Sequence, residues 1–501
     1  MGGPRLTILF AVACVLVSAC SSTSTTPDQQ DNPGSTSTQQ PVTSSTKPPV
    51  TSPPEWVRPS ITVSGDESAV QPGESIQEAV NAAEKGDVIE IAAGMHRMQS
   101  IEPKTGQTIR GAPGAILSGA MLLTDFVEED GVWEQADIGF EGEQAGSCAT
   151  EGSTCTLPED LFFDGERLLR VASRDDVGAD SWYLDYDSDT LFLGRDPTGA
   201  EVELSALPLA FGGEATDVTI EGLVIEKYAS PAQRGAIDVG KGWTIAGNEI
   251  RLNHGAALYP GSDTLVTDNF LHDNGQMAID GGGNDSTYER NEIAYNNTGG
   301  FSFEWGAGGV KFVHTENLVL RDNYVHDNHG PGLWIDGYNV NTLFEGNRVV
   351  NNFDAGIKIE ISGSATVRDN TVAGNGFGNA FPPRGAGIMI RESGPVEVVG
   401  NDLRGNKEAV ILHQDNGREN ETGNTLHSIS VHDNKISLDG GLVGYFGDIP
   451  FDAFESADLV FEDNSYTGTP GEESFLDHGD TVTFEQWQDS GRDAGSSFVG
   501  S

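Results

Sequence analysis

The stretch from Gly330 to Ser362 reads GPGLWIDGYNVNTLFEGNRVVNNFDAGIKIEIS and holds two successive rounds of one pattern. Two short strands can be laid on each other in it, Gly332 to Asp336 and Gly356 to Glu360. Side chains alternate across a strand, so Leu333, Ile335, Ile357 and Ile359 face a core. Trp334, Asp336, Lys358 and Glu360 then face outward, and parallel stacking sets Asp336 and Glu360 on neighbouring strands about 4.8 Å apart.

Outward from this pair the pattern recurs. An asparagine followed two residues later by an apolar residue stands at Asn248, Asn269, Asn291, Asn323, Asn347, Asn370, Asn401, Asn434 and Asn464. A period of about 21 to 24 residues, lengthened in places, marks a solenoid with one coil per repeat. Asparagines stacked at an inner turn hydrogen-bond from coil to coil, so they are assigned to the fold. His272 and His326 follow the same turn pattern and are read as structural. Few windows look helical, and the 64 glycines with abundant Asn and Asp favour an all-β protein with many tight turns.

Upstream, Gln71 to Ile91 begins with an amphipathic helix over Ser75 to Ala83. Ile76, Ala79, Val80 and Ala83 recur at helical spacing, Gly86 ends the helix, and a strand follows at Asp87. This segment resembles the N-terminal lead-in of right-handed parallel β-helix proteins, where such a helix covers the open end of the coil. An uncovered end exposes core side chains and unpaired strand edges. The expected fold class is therefore all-β, a right-handed parallel β-helix (solenoid) with an N-terminal capping helix and an inserted antiparallel β module.

The cap and first coils are placed at 60–120 and the main β-helix at 206–470. Between them, over 121–205, the runs from Leu161 to Val171 and from Trp182 to Leu193 read as antiparallel hairpins with polar turns. An acidic, Gly-rich C-terminal tail over 471–501 is expected to pack loosely.

The N-terminus reads as an export signal over 1–19, with Arg5 before an apolar run from Leu6 to Val17. Val17-Ser18-Ala19-Cys20 resembles the lipobox of bacterial lipoproteins. By that resemblance the chain is cut before Cys20, whose thiol carries a lipid; the alternative is an ordinary secretory signal with an unrelated cysteine. The apolar run is too short for a stable spanning helix. Residues 20–59, rich in Ser, Thr and Pro, form a flexible linker. The expected location is outside the cytoplasm, on the bacterial cell membrane, with contact to that membrane through the lipid alone. Of the four cysteines, Cys148 and Cys155 lie outside the signal region, and in an exported protein they are expected to form a local disulfide.

A formal net charge of −49 disfavours nucleic acids, anionic membranes and polyuronate chains, and leaves neutral sugar polymers as natural partners of a monomer. Aligning the strand after each asparagine turn gives a column ending at Tyr259, Asp280, Val313, Asp336, Glu360, Arg391 and His413, with Lys311, Trp334, Lys358 and Met389 two positions earlier. A solvated face also predicts mixed charges. Here, however, an outward aromatic stands beside paired carboxylates, whose strand spacing is close to the roughly 5 to 5.5 Å carboxyl separation of a retaining glycosidase. Longer repeats, around Phe301 to Gly309 and Gly376 to Arg384, bracket these coils as cleft walls, and a third insertion runs from Gln414 to Leu426.

Gly-Leu-Trp-Ile-Asp336 followed by Ile-Lys-Ile-Glu360 on the next coil, with an inserted module upstream, is similar to the β-helical β-xylosidases and related glycoside hydrolases. The likeness spans roughly Gln71 to Asn464 in architecture, and its motif is confined to about Trp305 to Ser362. It implies Asp336 as the nucleophile and Glu360 as the acid/base of a retaining hydrolase of neutral plant or cell-wall glycan. Trp334, Lys358, Lys311, Glu304, Trp305, Asp280, Arg391 and His413 are candidate substrate contacts, as are Asn328 and His329 at the rim. Lys358 tells against the acid role, because a nearby cation favours the charged carboxylate, while proximity to an ionised Asp336 pushes the other way. No cofactor is expected.

Two other readings stand beside this one. A polysaccharide lyase or uronate epimerase would use Lys358 or Arg391, with calcium held by Asp280, Asp336 and Glu360. A non-catalytic carbohydrate-binding surface lipoprotein would tolerate loss of Asp336 and Glu360. Fold alone does not choose among them.

Overall fold

Strands this short hold together because each inward side chain lies directly over its equivalent one coil away. One such row starts at Ile109 and runs in parallel register through Ile220, Ile245, Val266, Tyr288, Leu320 and Phe344. Every member is buried, and each aliphatic one stabilises the core by about 1.5–3 kcal/mol. The computed structural model describes residues 69–379, 384–415, 425–438, 441–447, 451–469 and 471–500. Within them, three long sheets of 12, 13 and 11 strands form the sides of a right-handed parallel β-helix. Each regular coil gives one strand to each sheet, as in Thr342–Glu345, Arg348–Val350 and Ile357–Glu360.

The asparagines do what their spacing implies. The amide of Asn347 donates to Leu320 O at 2.8 Å and to Asn370 Oδ1 at 3.0 Å, and its Oδ1 accepts from the backbone N–H of Asn323 at 3.0 Å. The bend before each asparagine needs a left-handed residue, supplied by Asp322, Asp369 and Asp433 with φ of 54°, 57° and 54°. A second ladder, absent from the sequence reading, runs through Asn253, Asn274, Asn296, Asn328, Asn352, Asn375 and Asn406. Asn328 belongs to it and is buried, so its expected place at a substrate rim is corrected.

The expected cap is a helix at Ile76–Ala82, whose N-cap Ser75 accepts from the Glu78 N–H. Its Ile76 and Val80 are buried over the first coil. The C-terminal segment departs from the loose tail expected of it. Phe475–Asp477 and Asp480–Val482 pair as a hairpin, and the helix Phe484–Asp489 buries Trp487 completely against the last coils. Its apolar residues Phe475, Phe484, Trp487 and Phe498 close the other end of the core.

The inserted module folds as five- and four-stranded sheets around its own core, which includes Leu161, Trp182 and Leu204. Cys148 and Cys155 are joined in a disulfide. The module fastens to the β-helix beside the first long insertion, through a β-bridge between Cys148 and Phe301 and a hydrogen bond of 2.6 Å from Arg167 Nη1 to Thr298 Oγ1. The signal region, Cys20 and the linker lie outside the described residues. Among the described residues no helix is long and apolar enough to cross a membrane.

Candidate active site

The outer face of the 11-stranded sheet carries the charged column. Asp336 on Leu333–Asp336 pairs in parallel register with Glu360 on Ile357–Glu360, which pairs with Arg391 on Ala386–Arg391 and then with His413. Trp334 likewise lies between Lys311 and Lys358 in the neighbouring column.

Asp280 does not join Asp336. The strand Met277–Gly281 sets Asp280 beside Lys311, two residues from the expected register. A two-residue slip keeps the same face inward, so hydrophobic alternation is blind to it. Asp280, Asp336 and Glu360 are therefore not gathered into one calcium set, because Asp280 lies three coils from Glu360 in the lysine column. Asp280 is buried with Oδ2 unpartnered among the described residues, and burial lifts its pKa to about 6 against the charges of Lys311 and Arg234.

The charges of the central carboxylate pair are neutralised locally. Lys311 Nζ lies 2.9 Å from Asp336 Oδ2, and Lys358 Nζ lies 2.9 Å from Glu360 Oε2. Arg391 reaches Glu360 Oε1 at 3.0 Å and Asp415 Oδ2 at 2.7 Å. Trp334 points outward but is only 1% exposed, because both lysine ammonium groups sit 4.0 Å from its ring centroid. The open aromatic surface expected there is instead a cation–π sandwich.

A cleft of about 300 Å³ opens on the C-terminal side of the carboxylate pair. Its walls are Phe303 and Glu304 from the first long insertion, Asn379 and Arg384 from the second, and Asp354, Lys358, Glu360, Met389, Arg391 and Asp415 from the coils between. The two insertions bracket the site as their positions imply; 380–383 and 416–424 lie outside the described residues. Asp336, Lys311 and Trp334 stand beside the cleft rather than in its lining. Trp305 packs toward Cys148, Cys155 and Phe301. His329 is exposed. His413 is buried, stacked 4.0 Å from Phe446, and its Nδ1 accepts from Arg391 Nε at 3.0 Å. Its Nε2–H is left for Asp415 Oδ1 at 2.8 Å, so His413 orients the Arg391 cation.

Sequence reasoning gave no place in the site to five residues of the lining: Phe303, Asp354, Asn379, Arg384 and Asp415. Asp354 had a signal. It follows the second-ladder Asn352 by two positions, where the preceding coil has Gly330. The residue is 3% exposed and its Oδ1 accepts from Asn379 Nδ2 at 2.7 Å. Burial is the largest influence and raises its pKa, opposed by the Lys358 charge and the Asn379 bond and assisted by Glu360. Glu392, His413 and Asp415 form the metal-compatible group among the described residues, but the Arg391 guanidinium already holds His413 and Asp415.

His272 and His326 bear out their structural reading. Burial pulls both pKa values down, but for His272 the hydrogen bond it shares with Asp273 and the nearby Glu249 carboxylate, and for His326 those with Asp327 and Glu292, outweigh it and hold both above the usual range.

Residues 236–403 match the family model described as the right handed beta helix region. The structure described as XylC in complex with xylose superposes with a TM-score of 0.54 at 16% identity, covering 85% of this chain and 79% of that one. The fold is that of a right-handed parallel β-helix. The A-module of the Azotobacter vinelandii mannuronan C-5 epimerase AlgE6 gives 0.48 at 14% identity, with 85% and 93% covered. The catalytic unit of a GH87 alpha-1,3-glucanase from Streptomyces thermodiastaticus gives 0.47 at 10%, with 87% and 70% covered. No curated protein matches by sequence.

Proposed function

We propose that this β-helix is a glycoside hydrolase, acting on a neutral plant or cell-wall glycan outside the cytoplasm while anchored through a lipid on Cys20. One observation carries the reading: Asp336 and Glu360 stand side by side in register at the edge of a cleft walled by the two insertions. Paired carboxylates flanking a sugar-sized cleft are the minimum equipment for glycosidic cleavage. The xylose held by XylC, which shares the fold, supports a neutral sugar. So does the electrostatics. Lys311, Lys358 and Arg391 are each engaged by an acid, and a uronate would have to displace those acids on a chain of net charge −49. In this reading the carboxylate pair meets the anomeric carbon, and Lys358 and Arg391 hold Glu360 in place.

The test incubates the full-length chain with xylan, arabinan, galactan, pectate and alginate, following reducing ends and unsaturated uronate in parallel. New reducing ends without unsaturation, lost in Asp336→Asn and in Glu360→Gln, are expected. Unsaturated product that needs calcium and survives Asp336→Asn overturns the hydrolase and moves the chemistry to a lyase.

A further inference from the structure

We propose that Asp354 is the proton donor of this site, giving its carboxyl proton to the glycosidic oxygen as that oxygen leaves the anomeric carbon. The inference rests on the hydrolase reading and supplies what that reading lacks. A general acid must carry its proton at working pH, yet Glu360 is ion-paired with two cations and Asp336 with one. Cations therefore already stand at the carboxyl oxygens of both residues.

Asp354 is placed differently. It lines the same cleft as Glu360, is 3% exposed, and forms no ion pair among the described residues. Its backbone N–H donates to Gly330 O at 3.1 Å and its Oδ1 accepts from Asn379 at 2.7 Å, so the preceding coil holds its backbone and the second insertion holds its carboxyl. The charges that bear on it are Lys358 and Glu360 from its own coil, with Glu304, Arg384, Arg391 and Asp415 from the other walls. Burial raises its pKa and the Glu360 charge adds to that, against the pull of Lys358.

The step balances. The glycosidic C–O bond breaks with its electron pair going to the leaving oxygen, which takes the Asp354 proton. The anomeric carbon bonds to a carboxylate oxygen of the Asp336 and Glu360 pair. Water then replaces that oxygen at the anomeric carbon and returns a proton to Asp354.

Phenyl and dinitrophenyl glycosides of xylose, arabinose, galactose and glucose test this on the full-length chain, because a dinitrophenolate leaves without a proton. Asp354→Asn is expected to lose about 100-fold or more in kcat/KM on the phenyl glycoside and less than about 10-fold on the dinitrophenyl one. Wild-type enzyme gives an independent reading if the variant does not fold: its phenyl rate should fall at alkaline pH while its dinitrophenyl rate holds. Equal losses on both leaving groups, or the same alkaline limb for both, overturn the assignment of Asp354 alone. A wild-type chain inactive on every aryl glycoside and polymer removes the hydrolase reading and this inference with it.

Discussion

Asn347 and Glu360 lie on the same coil, and both are buried polar residues, 1% and 3% exposed. Asn347 is surrounded by copies of itself: Asn323 donates to it from one side and Asn370 accepts from it on the other. Glu360 has a second carboxylate, Asp336, on one side and cations on the others, Lys358 in its own strand and Arg391 one coil further. A neutral amide is both donor and acceptor and satisfies its neighbour indefinitely, so repetition suffices at the turn. A carboxylate only accepts, so the stacked pair of Asp336 and Glu360 is held with cations interleaved, and the outer face must vary from coil to coil. The same solenoid thus holds a region where identity stabilises and a region where difference creates a cleft.

The comparison breaks most sharply at Glu360. Glu360→Gln is expected to lower turnover about 1000-fold, equivalent to about 4 kcal/mol of barrier, in the reducing-end assay. A loss of less than about tenfold would show that the irregular face carries no chemistry. Trp334→Ala tests whether the aromatic is filler or platform. As a buried ring between two ammonium groups it should cost about 3–5 kcal/mol in denaturant unfolding, whereas an open platform would change KM and leave stability alone.

On the repetitive side, Asn347→Ala leaves Leu320 O and the Asn323 N–H without their partner and is expected to cost about 2–3 kcal/mol in the same measurement, with activity retained. The effect of Asp280→Asn is the one that depends on pH and vanishes at low pH. Its raised pKa of about 6 means that the folded state holds a proton more tightly than the unfolded chain. The stability this confers is fully present below the unfolded pKa of about 4 and is lost as pH rises through about 6. The variant should therefore match wild type near pH 4 and exceed it by about 3 kcal/mol at pH 7, read from unfolding midpoints across that range.

Much of the architecture is legible in the amino-acid sequence. The asparagine spacing, the helix from Ile76 and the hairpin runs after Leu161 are local signals, and each became the expected element. The C-terminal segment was misread because Phe475, Phe484, Trp487 and Phe498 lie too far apart in sequence to look like a core, and meet only where they cover the last coil. The second ladder was overlooked although its asparagines were in plain view, since one row already accounted for the repeat.

At the site, the sequence alone determined which residues share a strand face and that Asp336 and Glu360 are neighbours, because alternation and coil period are local properties of the chain. It did not determine that Trp334 is covered, that Asp280 is slipped by two residues, or that Asp354 shares a cleft with Glu360. Those depend on register between coils and on what two long insertions bring alongside. A period-two pattern carries no information about a slip of two, and the walls of a cleft come from segments whose separation in the chain says nothing of their separation in space.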